Sequence, residues 1–382
     1  MEPRHPPRRH CDPRSYRRPH RHPGPRSCAE LGSPAVRGAA DPAAEDVRAG
    51  RVPAPTPSRR WRARPDRRPW DCGCSAPCTP WCCSGKRRTW PCTTRGRRWD
   101  DPGAAWEPFR RAVAEHPDHI AGWMRRPPQT NEVGRANQLI AGLLAVTDAL
   151  GLPEPPPVRL LELGASAGLN LRADRFRVRA GPGGREFAWG DPGSPVVLDG
   201  AWRDGAPPPR LATAAARVPA PVVVERLGCD VDPLDPLDPA DALALRAYLW
   251  PDLPHRAERL AGALALAREV PARVVRQGAA DFLAGTELRP GTLTVVWHSV
   301  MRQYVPPAEW SRAEAELDRL GRAGRGPGSG WFAHLAFEPR RVGGVHRFVL
   351  TARLGDGPQE VLAEAHPWGL DARATETTAL DG

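Results

Sequence analysis

The stretch Leu160-Leu-Glu-Leu-Gly-Ala-Ser-Ala-Gly-Leu-Asn170 decides how the rest of this chain is read. An apolar, strand-compatible run stops at Gly164, small residues carry the chain to Gly168, and Leu169 to Asp174 can begin a helix. A strand, tight turn and helix of this kind point backbone N–H groups at a ligand. Glu162 precedes the loop and Asn170 follows it, so polar groups bracket the place where a nucleotide-like molecule would lie.

Two motifs compete for these residues. Gly164-x-Ser166-x-Gly168 spells the nucleophile elbow of α/β-hydrolases, which would make Ser166 a nucleophile. It also fits the first glycine-rich loop of class I S-adenosylmethionine methyltransferases, with Ser166 where a middle glycine is common. An elbow serine follows several strands and an oxyanion loop. Only helical patterns from Trp106 onward precede Ser166 here, which favours the methyltransferase loop. The absence of G-x-G-x-x-G argues against a nicotinamide enzyme, and a non-catalytic nucleotide-binding module on the same fold is the remaining alternative.

Outward from the loop, strands and helices alternate. Phe176-Arg-Val-Arg179 and Arg185-Glu-Phe-Ala-Trp189 flank a glycine-rich turn, so 175–215 is expected as an inserted cap containing a hairpin. Pro221 to Asp230 is the second core strand, and Asp230 at its tip is placed to accept ribose hydroxyls. Helical patterns at 240–250 and 255–269 lead to a third strand at 273–276, with Asp281 beyond its exit. A fourth strand at 292–297 ends in His298, and a helix follows from Pro307. This alternation predicts a Rossmann-like, doubly wound and mainly parallel sheet. Strand-like segments at 330–338, 346–354 and 359–364 predict a terminal antiparallel pair. Ligands in such sheets bind beyond the carboxyl ends of the strands, where Asp230, Asp281 and His298 all fall.

Upstream, Trp106 to His116 is amphipathic, and Gln129-Thr-Asn-Glu-Val-Gly-Arg135 precedes an apolar helix over 136–150. Thr130 or Asn131 can cap that helix with Glu132 in its first turn. The functional reading is that this polar cluster closes over the pocket. His298 and Glu132 are the candidate bases.

Composition sets the outer limits. The net charge of +11 arises locally, because residues 1–100 hold 23 Arg and Lys against 9 Asp and Glu, and the rest holds 32 against 35. Eight of the nine cysteines lie in the same stretch, leaving Cys229. Their spacing lacks paired C-x2-C units, so no metal site is expected, and the core carries no excess charge for nucleic acid. No apolar run reaches the length of about 18 residues that a membrane span needs, and no secretory signal is apparent, so a cytoplasmic protein acting on a small molecule is expected. Residues 1–100 read as a disordered basic segment rich in Pro, Arg, Cys and Trp. In a GC-rich gene, moving the frame back one base turns Trp and Cys codons into leucine codons. Applied from Trp70 to Arg95, the shift yields a text with helical leucine spacing, and the expectation is that much of 35–98 is a frameshifted reading of a helical segment.

Together, Gln129 to Arg135, Leu161 to Asn170, Gly190-Asp-Pro with Ser194-Pro-Val196, Gly228-Cys-Asp230 with Pro233 and Asp235, and Val296-Trp-His-Ser-Val300 resemble an uncharacterised bacterial family, DUF2332. The resemblance covers roughly 104–365 and implies a class I methyltransferase-like fold. The family's N-terminal helices resemble the shifted-frame text, and Gly278 stands where an acidic residue is usual in the family. The reading is therefore a helical region at 101–155, a Rossmann-like domain at 156–370 and a tail at 371–382. S-adenosylmethionine is its expected cofactor, held by Glu162, Gly164, Gly168, Asn170, Asp230 and Asp281.

Overall fold

Helices α1 (Pro102–Glu115) and α2 (Pro117–Met124) lead through a 3-10 turn, Val133–Arg135, into α3 (Ala136–Ala149) and then strand β1 (Val158–Leu163). The computed structural model describes residues 102–125, 128–218, 220–250, 253–342 and 344–374. The readings made on 1–100, including the shifted frame, and most of the expected tail lie outside them.

All six residues of β1 are buried, as a strand covered on both faces must be. A long excursion follows: β2 (Arg177–Ala180), β3 (Phe187–Gly190), β4 (Val197–Leu198) and α4 (Pro209–Arg217). The chain returns in β5 (Val223–Asp230), α5 (Pro239–Ala247), α6 (Pro254–Glu269), β6 (Arg273–Arg276), α7 (Ala279–Ala284) and β7 (Leu293–Ser299). It finishes with α8 (Pro307–Ala323), β8 (Arg325–Gly326), β9 (Gly330–Val342), β10 (Val345–Leu354) and β11 (Glu360–Ala365).

The central sheet runs β11-β10-β9-β7-β1-β5-β6, with β8 paired to β9. β1, β5, β6, β7 and β9 are parallel, whereas β10 and β11 form an antiparallel edge. This is a mixed α/β fold with a mostly parallel sheet, and the connection order reverses at β1, between β5 and β7. Side chains alternate across the two faces. Leu160, Leu293, Val295 and Trp297 join the core under α3, while Leu161, Leu163, Val296, Trp310 and Leu317 join the core under α7 and α8.

One expectation is corrected in detail. No α-helix follows the glycine loop. Leu169–Arg175 is a 3-10 segment broken at Arg172, whose guanidinium donates to Gly168 O at 2.8 Å and to Val270 O at 2.6 Å. The side chain ties the segment back onto the loop and α6, and the chain enters β2 at once. The 175–215 insertion forms its own sheet, β3-β2-β4, with β2 and β3 antiparallel as read. It stands against α3 and α6: Asn137 donates to Ala201 O at 3.1 Å, and Gly262 abuts Pro195 O so closely that a Cβ would lie 2.1 Å away.

Candidate functional site

The loop after β1 leaves the sheet at the reversal point, the usual ligand position in open α/β sheets. Gly164 and Gly168 have φ of 66° and 64°, and Ser166 has φ of 53°. A Cβ on Gly164 would meet Met301 at 3.0 Å, and one on Gly168 would meet Val274 at 2.8 Å. Asn131 at 35° and Val300 at 52° are also left-handed. For a β-branched valine this is a strained state, and such states gather at functional sites. Three segments bearing this strain converge here, since Val300 follows β7 and Asn131 reaches the loop from in front of α3.

Asp230 lies beside the loop. Its Oδ2 accepts from Ser166 N at 2.8 Å and its Oδ1 from Asp232 N at 2.9 Å. The segment from Gln129 to Arg135 closes the other side. Ser166 Oγ donates to Gln129 Oε1 at 3.3 Å, Gln129 Nε2 donates to Asp232 O at 2.8 Å, and Leu169 N donates to Asn131 Oδ1 at 3.1 Å. Asn170 Nδ2 donates to Glu132 O at 3.3 Å. The polar cluster thus lies directly on the glycine loop. Thr130 does not cap the helix, and the N-cap group is Glu132, whose carboxylate accepts from Gly134 N at 3.1 Å at the start of the 3-10 turn.

Glu132 is otherwise engaged. Arg256 Nε donates to its Oε2 at 2.7 Å, and Arg259 Nη2 stands 3.7 Å from Oε1. Burial acts to raise its pKa, but Arg256, Arg259 and Arg135 outweigh burial and hold the carboxyl below its usual range. A carboxylate so held is a weak proton acceptor and a strong clamp. The Arg256 guanidinium also lies 4.8 Å over Trp368, and Arg135 Nε donates to Pro367 O at 3.0 Å, fastening the C-terminal segment to the same corner.

Beneath the loop, Glu162 and Asn170 are 3% and 2% exposed, and Glu162 pairs in register with the fully buried Trp297. Glu162 Oε2, Asn170 Oδ1 and Trp297 Nε1 are buried without hydrogen-bonding partners. Burial pushes the Glu162 carboxyl up to about 8, against the Trp297 and Asn170 side chains, which favour its charged form. At neutral pH it is largely protonated.

His298 lies on the opposite sheet face. Its Nδ1 is 2.8 Å from Glu338 Oε1, an oxygen that also accepts from Met301 N at 3.1 Å and Arg302 N at 3.3 Å. Two backbone N–H groups and the His298 ring thus converge on one Glu338 oxygen, and the tautomer with its proton on Nδ1 donates there. Its Nε2 faces His334 Nε2 at 3.1 Å, and burial together with His298 holds His334 well below the usual imidazole range. Both ring nitrogens of His298 are therefore occupied, and the network pins the strained turn after β7. Asp281 is exposed on α7 and paired with Arg312 of α8.

The structure thus brings Gly164, Gly168, Asn170, Asp230, Glu162 and Glu132 into one corner, while His298 and Asp281 are engaged elsewhere. Sequence reasoning missed Glu338, Arg256, Arg259 and Met301, and it named His334 only as a possible base of the serine-hydrolase alternative. Only the alternation of His334 and Glu338 within a strand hinted that they share the face of His298. Among the described residues no cluster of His, Cys, Asp and Glu is arranged to hold a metal ion, and no helix is long and apolar enough to cross a membrane.

Comparison with curated proteins and with solved structures returned no match. The matching family model spans residues 84–372, reaching beyond the 104–365 that the motifs covered and into the segment assigned to a shifted frame. The loop after β1, the strap across it and the β7 turn all fall inside that span, and the chain belongs to the family described as uncharacterized protein conserved in bacteria (DUF2332).

Proposed function

We propose that this chain is an S-adenosylmethionine-dependent methyltransferase acting on a small-molecule nucleophile. The observation that carries the reading is the placement of Asp230 against the glycine loop at the reversal point of the sheet, with Asp230 Oδ2 2.8 Å from Ser166 N. Each Asp230 oxygen receives one backbone N–H and keeps acceptor capacity for ribose hydroxyls. Gly164 is exposed, and the space that a side chain would take there is bounded by Met301. The buried unpartnered oxygens of Glu162 and Asn170 lie just behind it. These residues fit a polar nucleoside ligand, with Gly168 shaping the turn.

When bound, the cofactor supplies an electrophilic methyl group, and the protein's contribution is alignment of donor and acceptor. Asp230 and Gly164 hold and orient. Met301, whose Cβ and Cγ would lie 3.0 and 3.2 Å from a side chain at Gly164, packs against the strand tip on the β7 side. Neither His298 nor Glu132 presents a free basic atom, so the reading suits an acceptor that reacts without help from a protein base.

The serine-hydrolase alternative has one point in its favour, the left-handed φ of Ser166. Against it, Ser166 Oγ donates to Gln129 and hydrogen-bonds no histidine among the described residues. The test is a thermal-shift titration of the full chain with S-adenosylmethionine and S-adenosylhomocysteine, alongside fluorophosphonate labelling. Stabilisation without labelling is expected. Labelling that disappears in Ser166→Ala would establish the hydrolase instead, and binding without methyl transfer to any nucleophile tried would leave a binding module.

A further inference from the structure

β7 ends where Ser299 pairs with Phe337, but β9 continues to Val342 and turns back through β10. The β9–β10 hairpin therefore projects past the carboxyl edge of the parallel sheet by about five residues, roughly 15 Å. Its residues 339–347, Pro-Arg-Arg-Val-Gly-Gly-Val-His-Arg, contain three arginines and a histidine and no acid. This contrasts with the slight acidic excess of the chain beyond residue 100.

Register sharpens the contrast. Arg340 lies directly opposite Arg347, and Arg341 opposite His346. Like charges facing each other across strands are destabilising. Arg347 Nη1 donates to Glu364 at 2.7 Å, but Glu364 also serves Arg373 at 3.0 Å, and Arg347 Nε is buried without a partner. Arg340 has no carboxylate partner among the described residues. By strand alternation Arg340 shares the face of Glu338, which fixes the backbone of Met301 and Arg302. Met301 in turn rests on Gly164. A single wall, Gly164 to Met301 to Glu338 to Arg340, thus joins the glycine loop to the basic hairpin.

We infer that the overhanging hairpin is the acceptor side of the proposed site, and that Arg340 and Arg347 select a small acceptor bearing a carboxylate or phosphate group. An anion beside the Arg340 guanidinium offsets the repulsion from Arg347 across the strands and gives Arg340 the acceptor that it lacks among the described residues. The inference rests on the methyl-transfer reading for the word acceptor, while the anion site stands on the hairpin.

Isothermal titration of the full chain with inorganic phosphate, with acetate and separately with S-adenosylhomocysteine tests it, in wild type, Arg340→Gln and the control Arg325→Gln at the opposite edge of the sheet, where Arg325 pairs with Asp356. Saturable binding of phosphate or acetate is expected in wild type, weakened about tenfold by Arg340→Gln and unchanged by Arg325→Gln. The preferred anion tells phosphate from carboxylate. Binding of S-adenosylhomocysteine should be alike in all three proteins. If it is absent while the anion result holds, the anion site stands and the methyl-transfer reading falls. No saturable anion binding, or equal weakening by both substitutions, overturns the inference.

Discussion

Glu162 is the residue whose environment departs most from its appearance in the sequence. In the linear chain it is a polar bracket of a loop; in the fold it is a carboxyl under the loop, pushed up to about 8 by burial. The native state therefore binds a proton that the unfolded state has released between about pH 4.5 and 8. Its contribution to stability is complete below the unfolded value and is lost as pH rises through the folded one. Glu162→Gln, which keeps the shape and cannot ionise, should flatten that slope. Urea unfolding at pH 5 and pH 8 should show the variant gaining on wild type with rising pH, by an amount on the order of 3 kcal/mol. An unchanged gap would mean that Glu162 is ionised and matched by a polar partner. The same residue shows what was legible: that Glu162 belongs to the loop could be read from spacing, but its isolation from water depends on Trp297, which is 135 positions away in the chain and adjacent in the sheet.

Among the elements, β1 was fully legible. Its apolar run and abrupt glycine stop mark the strand Val158–Leu163 seen in the fold, and the two charged residues that interrupt the run, Arg159 and Glu162, are buried with it, Arg159 against Glu225. The segment after it was not legible. Leu169 to Asp174 satisfies helical spacing, yet Arg172 turns inward to bond Gly168 O and Val270 O, and the helix does not form. Tertiary hydrogen bonds of a buried guanidinium outweigh the few tenths of a kcal/mol that separate ordinary helix propensities. The loop itself depends on Gly168, whose φ of 64° and 2.8 Å approach to Val274 leave no room for a Cβ. Gly168→Ala should cost about 1–2 kcal/mol for the left-handed backbone alone, with more from the clash. Chemical denaturation measures it, and a cost near zero would mean that the turn relaxes.

The whole molecule is closed by its C-terminal segment. Gly369 O accepts from Asn137 at 3.1 Å and from Gln138 at 2.7 Å, Trp368 covers Arg256, and Pro367 holds Arg135. Truncation after Ala365 should leave these buried groups unsatisfied, at about 1–3 kcal/mol each. A lower unfolding midpoint is expected, with weaker binding at the glycine loop because the strap across it loses its anchor. An unaltered midpoint would show that the segment only decorates the surface. On this scale the sequence by itself determined the alternating strands and helices, the parallel sheet with its antiparallel edge, the loop after β1 and Asp230 beside it, since apolar periodicity and glycine placement are local properties. Only the tertiary structure decided the chemistry of the side chains. It seated His298 between Glu338 and His334, bound Glu132 to Arg256, and raised the β9–β10 hairpin beyond the sheet. Protonation and availability depend on neighbours brought together from distant parts of the chain, and no local pattern records them.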